Sequence, residues 1–188
     1  MAFTSFRFIV FLVLAAAAYF LTPKRCRWVT LFVANYVFYF ISGGRIFIYL
    51  LATTVTTYLA TVKIGDMAAK NKIAFNEAKA ELDKEGKKAW KAAFAKKKKR
   101  ILIPTLLFNF GILAVLKYSG FVTENLNLLF AKIGIGTELP VFRFLLPLGI
   151  SFYTFQSMGY LIDVYREKQE PERNFCKLAL FISFFPQI

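Results

Sequence analysis

With 188 residues, 57% of them hydrophobic, 23 phenylalanines and only 19% charged, the chain departs from water-soluble domains. Those run nearer half apolar, with about a quarter of their residues charged. Lys and Arg number 25 against 11 Asp and Glu, and they crowd between Lys63 and Arg100, leaving long stretches without charge. The absence of histidine excludes imidazole acid–base chemistry and His-ligated metal from these residues.

The uncharged runs, in chain order, are Phe8 to Pro23, Trp28 to Gly44, Ile46 to Val62, Ile101 to Leu116 and Phe144 to Ile162. A helix needs roughly 17 to 25 residues to cross a hydrocarbon core, and flanking Lys and Arg extend a short span by snorkelling. Unpaired backbone groups are costly in lipid, and the period-two alternation of a barrel strand is missing, so the runs predict helices. A sixth is expected to begin near Lys177, because Leu178 to Ile188 is again uncharged. The fold class that follows is all-α: a multi-pass transmembrane helical bundle of about five spans plus the start of a sixth, in one domain over 1–188. A cleavable signal peptide is the alternative for the first run, with Arg7 ahead of it and Ala15 to Ala18 as cleavage site. Against it, the apolar run continues through Tyr19, Phe20 and Leu21.

Lys24, Arg25 and Arg27 follow the first run, and Arg166, Lys168 and Arg173 follow the fifth. The segment 63–100 holds thirteen Lys or Arg against five Asp or Glu. The positive-inside rule makes 23–27, 63–100 and 166–174 cytoplasmic and the N-terminus external. The 63–100 loop is rich in Ala, Lys and Glu and should be partly helical, projecting from the bilayer. Trp90 and Phe94, a helical turn apart among lysines, could instead lie aromatic side down on an anionic leaflet. A solvated hairpin ending in the stop Lys96–Arg100 explains the same residues. Nucleic-acid binding is not expected, since the positive charge sits beside membrane spans. Between Phe121 and Pro140 a short helix along the outer face is predicted, ended by Gly134 and Gly136.

Polar residues within spans are candidates for function. Asn35, Asn109 and Gln156 fall near the middle of helices two, four and five, and Thr53, Thr54, Thr56 and Thr57 cluster in helix three. Hydrogen bonding between helices would account for all of them. Asp163 has Arg166 three residues on, which makes a local ion pair available. Lys117, near an external helix end, should snorkel. Cys26 and Cys176 fall at the cytoplasmic edge and are expected to be reduced thiols. No phosphate-binding glycine loop, nucleophile elbow or paired-cysteine motif occurs.

One further pattern spans the C-terminal third. Leu146-Pro-Leu-Gly-Ile-Ser-Phe-Tyr-Thr-Phe-Gln156 is followed by Tyr160-Leu-Ile-Asp-Val-Tyr-Arg166 and Phe181-Ile-Ser-Phe-Phe-Pro-Gln-Ile188. Together with Thr22-Pro23-Lys24-Arg25 and Lys117-Tyr118, these residues resemble the membrane-bound O-acyltransferase (MBOAT) superfamily, in its bacterial alginate O-acetylase branch. The resemblance covers most of the chain outside 63–100. It implies a partial MBOAT fold and, for the full-length protein, an enzyme: a membrane-bound O-acyltransferase that acetylates an extracytoplasmic polysaccharide or cell-wall glycan. Acetyl-CoA or another acyl donor is implied as substrate, with no bound cofactor or metal, and an extracytoplasmic acyltransferase partner is implied as acyl acceptor.

The family's catalytic histidine matches no residue here and is expected downstream, so these 188 residues alone are expected to be inactive. The motif positions Pro147, Gly149, Ser151, Tyr153, Gln156 and Asp163 carry the resemblance. Pro147 should kink or start helix five, and Gly149 and Ser151 should allow close helix approach. Tyr153, Gln156 and Tyr160 form a polar stripe that would either line a tunnel or pack against other helices. The rival functions are a transporter subunit and a non-catalytic membrane anchor of a polysaccharide export or modification complex. No internal repeat or midplane acid supports the transporter.

Overall fold

The computed structural model describes residues 6–43, 47–79, 83–134, 140 and 149–184. Helices α1 (Phe6–Leu21), α2 (Arg27–Gly43), α3 (Phe47–Ala78), α4 (Lys84–Ile133), α5 (Ile150–Tyr165) and α6 (Phe175–Ser183) account for nearly all of them, and no strand occurs among the described residues. The all-α bundle follows from the apolar runs. Helices α3 and α4 are each long and apolar enough to cross a bilayer, while α1 and α2 are apolar but shorter.

Local chemistry sets the ends. The Asp83 side chain caps α4 by accepting from the Gly86 N–H at 2.6 Å, and Asn174 caps α6 by accepting from the Cys176 and Lys177 N–H groups. Gly134 ends α4 at φ 79°, a left-handed conformation that glycine adopts without penalty. That stop is the one expected. Gly136 and Pro147 lie outside the described residues.

One expectation is corrected. The predicted surface helix after Phe121 is the last part of α4, which runs unbroken for 50 residues, about 75 Å. Ser119-Gly120 does not break it, because the polar side chains there bond back to their own helix. Thr123 Oγ1 donates to the Ser119 carbonyl at 2.9 Å and Asn125 Nδ2 to the Phe121 carbonyl at 2.7 Å. Lys117 therefore lies inside a helix, exposed and over the Tyr118 ring, rather than at an end.

Beyond the apolar segments, the Trp90 indole N–H donates to Asn71 Oδ1 at 2.9 Å and its ring lies 6.2 Å from Phe75. Phe94 receives Lys98 Nζ at 4.9 Å. Trp90 thus closes a hairpin of α3 on α4, while Phe94 contacts a lysine of its own helix. The expected helical hairpin forms, and it continues both helices past their apolar segments.

The core lies where α3, α5 and α6 meet, around Ile64, Leu161, Leu178 and Ile182. Phe38 of α2 is buried there, with Phe8 and Phe11 of α1 against it at 5.8 Å each. Large apolar side chains also point outward, among them Leu107 (67% exposed), Leu59 (60%) and Phe40 (66%). In water such a surface would drive association; in a bilayer it is the lipid-facing belt.

Candidate functional site

Helix α5 carries the motif residues. Gly149 is its N-cap at φ 71°, a left-handed backbone that favours glycine. Ser151 is half-buried one turn into the bundle. Tyr153 is buried, 1% exposed, with its ring edge-on to Tyr39 of α2 at 6.5 Å. The hydroxyls of Tyr36, Tyr39 and Tyr153 have no hydrogen-bond partner among the described residues. A buried hydroxyl left without a partner costs about 1–3 kcal/mol.

The other members of the stripe act differently. Gln156 Nε2 donates to the Phe181 carbonyl of α6 at 2.8 Å. The Tyr160 hydroxyl accepts from the Glu172 N–H at 2.7 Å and stacks near Phe181 at 6.0 Å. Both residues hold α6 and the segment before it onto α5. Asp163 is half-buried and carries no ion pair among the described residues, although Arg166 is in range by spacing. Such an exposed pair is worth only a few tenths of a kcal/mol, too little to hold two side chains together.

The span polars mostly satisfy themselves. Thr54, Thr56 and Thr61 donate to carbonyls one turn back in α3, at 2.8, 2.8 and 2.9 Å. Asn35 Nδ2 likewise donates to the Leu31 carbonyl at 2.6 Å. Two of these threonines also reach another helix: Thr56 donates to Asn109 Oδ1 at 3.2 Å, and Thr61 is hydrogen-bonded to the Tyr160 side chain of α5. Back-bonding to the helix's own carbonyls, rather than bonding between helices, is the commoner solution here.

The tightest construction is at the end of the bundle where the basic segments converge. Lys177 lies over the Trp28 ring at 6.0 Å, which brings the α1–α2 turn beside the start of α6. Tyr58 Oη donates to the Arg173 carbonyl at 2.8 Å, and Arg173 pairs with Asp66 at 2.7 Å. Lys98, buried despite its four charged neighbours, donates from Nζ to the Tyr165 carbonyl at 2.9 Å and to Glu167 at 2.5 Å. Gly65 abuts Pro171 so closely that a Cβ would stand 2.3 Å from the proline Cγ. The sequence places Asp66, Lys98, Glu167 and Arg173 in basic loops but shows none of these contacts, since no local pattern marks Lys98 among Lys96–Arg100. Cys26 and Cys176 are free thiols. Among the described residues no group of His, Cys, Asp or Glu could hold a metal.

The whole chain is similar to the probable alginate O-acetylases of Azotobacter vinelandii (32% identical) and Pseudomonas aeruginosa (30% identical), covering 33% and 32% of those proteins. Over 46% of its length it is 32% identical to a peptidoglycan O-acetyltransferase of Helicobacter pylori, covering 20% of that protein. The chain thus spans about a third of the length of the alginate relatives it matches. No family model matches it, and no solved structure does. The resemblance carried by Leu146–Gln156 is borne out: relatives across the whole chain at about 30% identity are O-acetylases by name.

Proposed function

We propose that this chain is a membrane-embedded portion of an O-acyltransferase that acetylates hydroxyls of an extracytoplasmic glycan. The observation that carries the reading is similarity over the entire chain to proteins named for alginate O-acetylation, joined by one named for peptidoglycan. A polysaccharide hydroxyl is the acceptor common to both names. The donor is acetyl-CoA or another acyl donor, and an extracytoplasmic transferase partner takes the acyl group onward.

In this arrangement the basic end of the bundle faces the cytoplasm and the N-terminus lies outside, in keeping with the positive-inside rule. No histidine is present in these residues, so a histidine base would come from elsewhere in the enzyme. The part of this chain is to frame the path: Tyr39 and Tyr153 offer hydroxyls inside the bundle, while Gln156 and Tyr160 fix the α5–α6 packing around them.

The test replaces the matching third of an alginate O-acetylase with this chain, in cells lacking their own alginate O-acetylation. Restored O-acetyl content of the polymer supports the reading. A chimera present in the membrane at normal abundance, with neither alginate nor peptidoglycan acetylated, overturns it. Acetyl transfer by the 188 residues alone would contradict the expectation that they lack the base.

A further inference from the structure

A cavity of about 410 Å³ lies between α3 and the segment joining α5 to α6, within the size range of small-ligand sites. It exists because of what α3 presents there. Gly65, Ala68, Ala69 and Lys72 recur at the spacing of one helix face, and three of the four have no side chain beyond a methyl group. The joining segment cannot collapse onto that face, because it is held at several points. Pro171 rests on Gly65, the Arg173 carbonyl is held by Tyr58, and the Glu172 N–H by Tyr160.

The charges around the cavity divide into committed and free. Arg173 is paired with Asp66, and Glu167 with Lys98. Lys72 and Glu170 are exposed and make no ion pair among the described residues. The site therefore offers one uncommitted cation and one uncommitted carboxylate. Its depth matters too. The apolar run of α3 ends at Val62, so Gly65 to Lys72 lie about 5–15 Å beyond it, beginning in the headgroup layer. Toward the bilayer centre, on the adjoining face of the same helix about a quarter to a third of a turn away, Leu59 and Val55 are exposed apolar side chains against which acyl chains can lie.

We propose that this cavity binds the headgroup of a zwitterionic phospholipid whose amine is a primary ammonium, phosphate toward Lys72 and ammonium toward Glu170. A primary ammonium has three N–H donors for a carboxylate, and a quaternary one has none. The inference rests on the membrane placement of α3 and α4, not on acyl transfer, so failure of the acetylation test leaves it standing.

The experiment is native mass spectrometry of the chain in detergent with dioleoyl phosphatidylethanolamine, phosphatidylcholine or phosphatidylglycerol. Retention of the ethanolamine lipid is expected to exceed that of the choline lipid about tenfold, the worth of one charge-assisted hydrogen bond. Glu170→Gln should remove that preference and leave phosphatidylglycerol unchanged, whereas Lys72→Gln should weaken both phosphatidylethanolamine and phosphatidylglycerol. Neither side chain holds the fold together, and unchanged melting confirms that. Ala68→Leu fills the cavity without touching a charge and should abolish retention. Equal retention of all three lipids, or an ethanolamine preference that survives all three substitutions, overturns the proposal. So does soluble phosphoethanolamine binding as tightly as the lipid, which would assign the site to a free metabolite.

Discussion

Lys98 Nζ stands 2.9 Å from the carbonyl oxygen of Tyr165 and 5.1 Å from the centroid of that residue's ring, so one lysine both caps α5 and lies over its last side chain. Carbonyls in the last turn of a helix lack intrahelical partners, and a cation is favoured there by the helix dipole as well. The bond ties α4 to the end of α5 across 67 positions of sequence.

Lys98→Met should accordingly lower stability by about 2 kcal/mol, since it removes a charge-assisted bond to a helix end. Glu167 is more than half exposed, so its ion pair adds under about 1 kcal/mol of that. Lys97→Met and Lys99→Met, at exposed positions, should be near neutral. Thermal melting of the three variants in detergent compares them directly; equal effects would mean that Lys98 has no special place.

At Gly65, substitution by alanine puts a Cβ where Pro171 already is, and one of the two backbones must move. Gly65→Ala should be destabilising by about 1–3 kcal/mol, as overpacking is. Gly111→Ala and Gly159→Ala meet open space and should gain a few tenths of a kcal/mol or more from helix propensity. Adding Pro171→Ala to Gly65→Ala should restore part of the loss; a double variant no better than the single one would place the strain elsewhere.

Within helix α5 two substitutions should act in opposite directions. Gln156→Leu removes the donor to the Phe181 carbonyl and should lose about 1 kcal/mol. Tyr153→Phe removes a buried hydroxyl without a partner among the described residues and should leave stability unchanged or raised. A clear loss of stability in Tyr153→Phe would show that the hydroxyl is bonded. In an alginate O-acetylase whose matching third is replaced by this chain, Gln156→Leu that abolishes acetylation at normal abundance would make Gln156 part of the path and not only of the packing.

The hairpin is tested through its indole. In a Trp28→Phe background Trp90 is the sole tryptophan, and its contacts with Asn71 and Phe75 hold it away from acyl chains. Brominated phospholipids should quench its fluorescence weakly. Strong quenching would return the segment to the membrane surface. Trp90→Ala should increase proteolysis near Asp83 by loosening the two helices there.

Much of this architecture is legible from short windows of sequence. The apolar runs led to α1, α2, α3 and α5, and the Ala, Lys and Glu-rich segment led to a helical hairpin. Asn174 and Gly134 mark helix ends by side-chain and backbone preferences that act within a few residues. The length of α4 was not legible, because Ser119-Gly120 looks like a break until its neighbours are seen bonding back into the helix. The α3 threonines suggested bridges between helices, and most of them turned out to serve their own.

What the sequence alone determined is the solvent, the helical class and the collection of positive charge into a few segments, since each depends on composition over one helix length. Only the tertiary structure decided that those segments share one end of the bundle. It alone singled out Lys98, set Gly65 against Pro171 and left Lys72 and Glu170 without ion pairs among the described residues beside a cavity. The reason is physical. A lysine in a basic run is equivalent to its neighbours until a carbonyl from a distant helix end comes within hydrogen-bonding reach, and that approach is fixed by how α3, α4 and α5 pack.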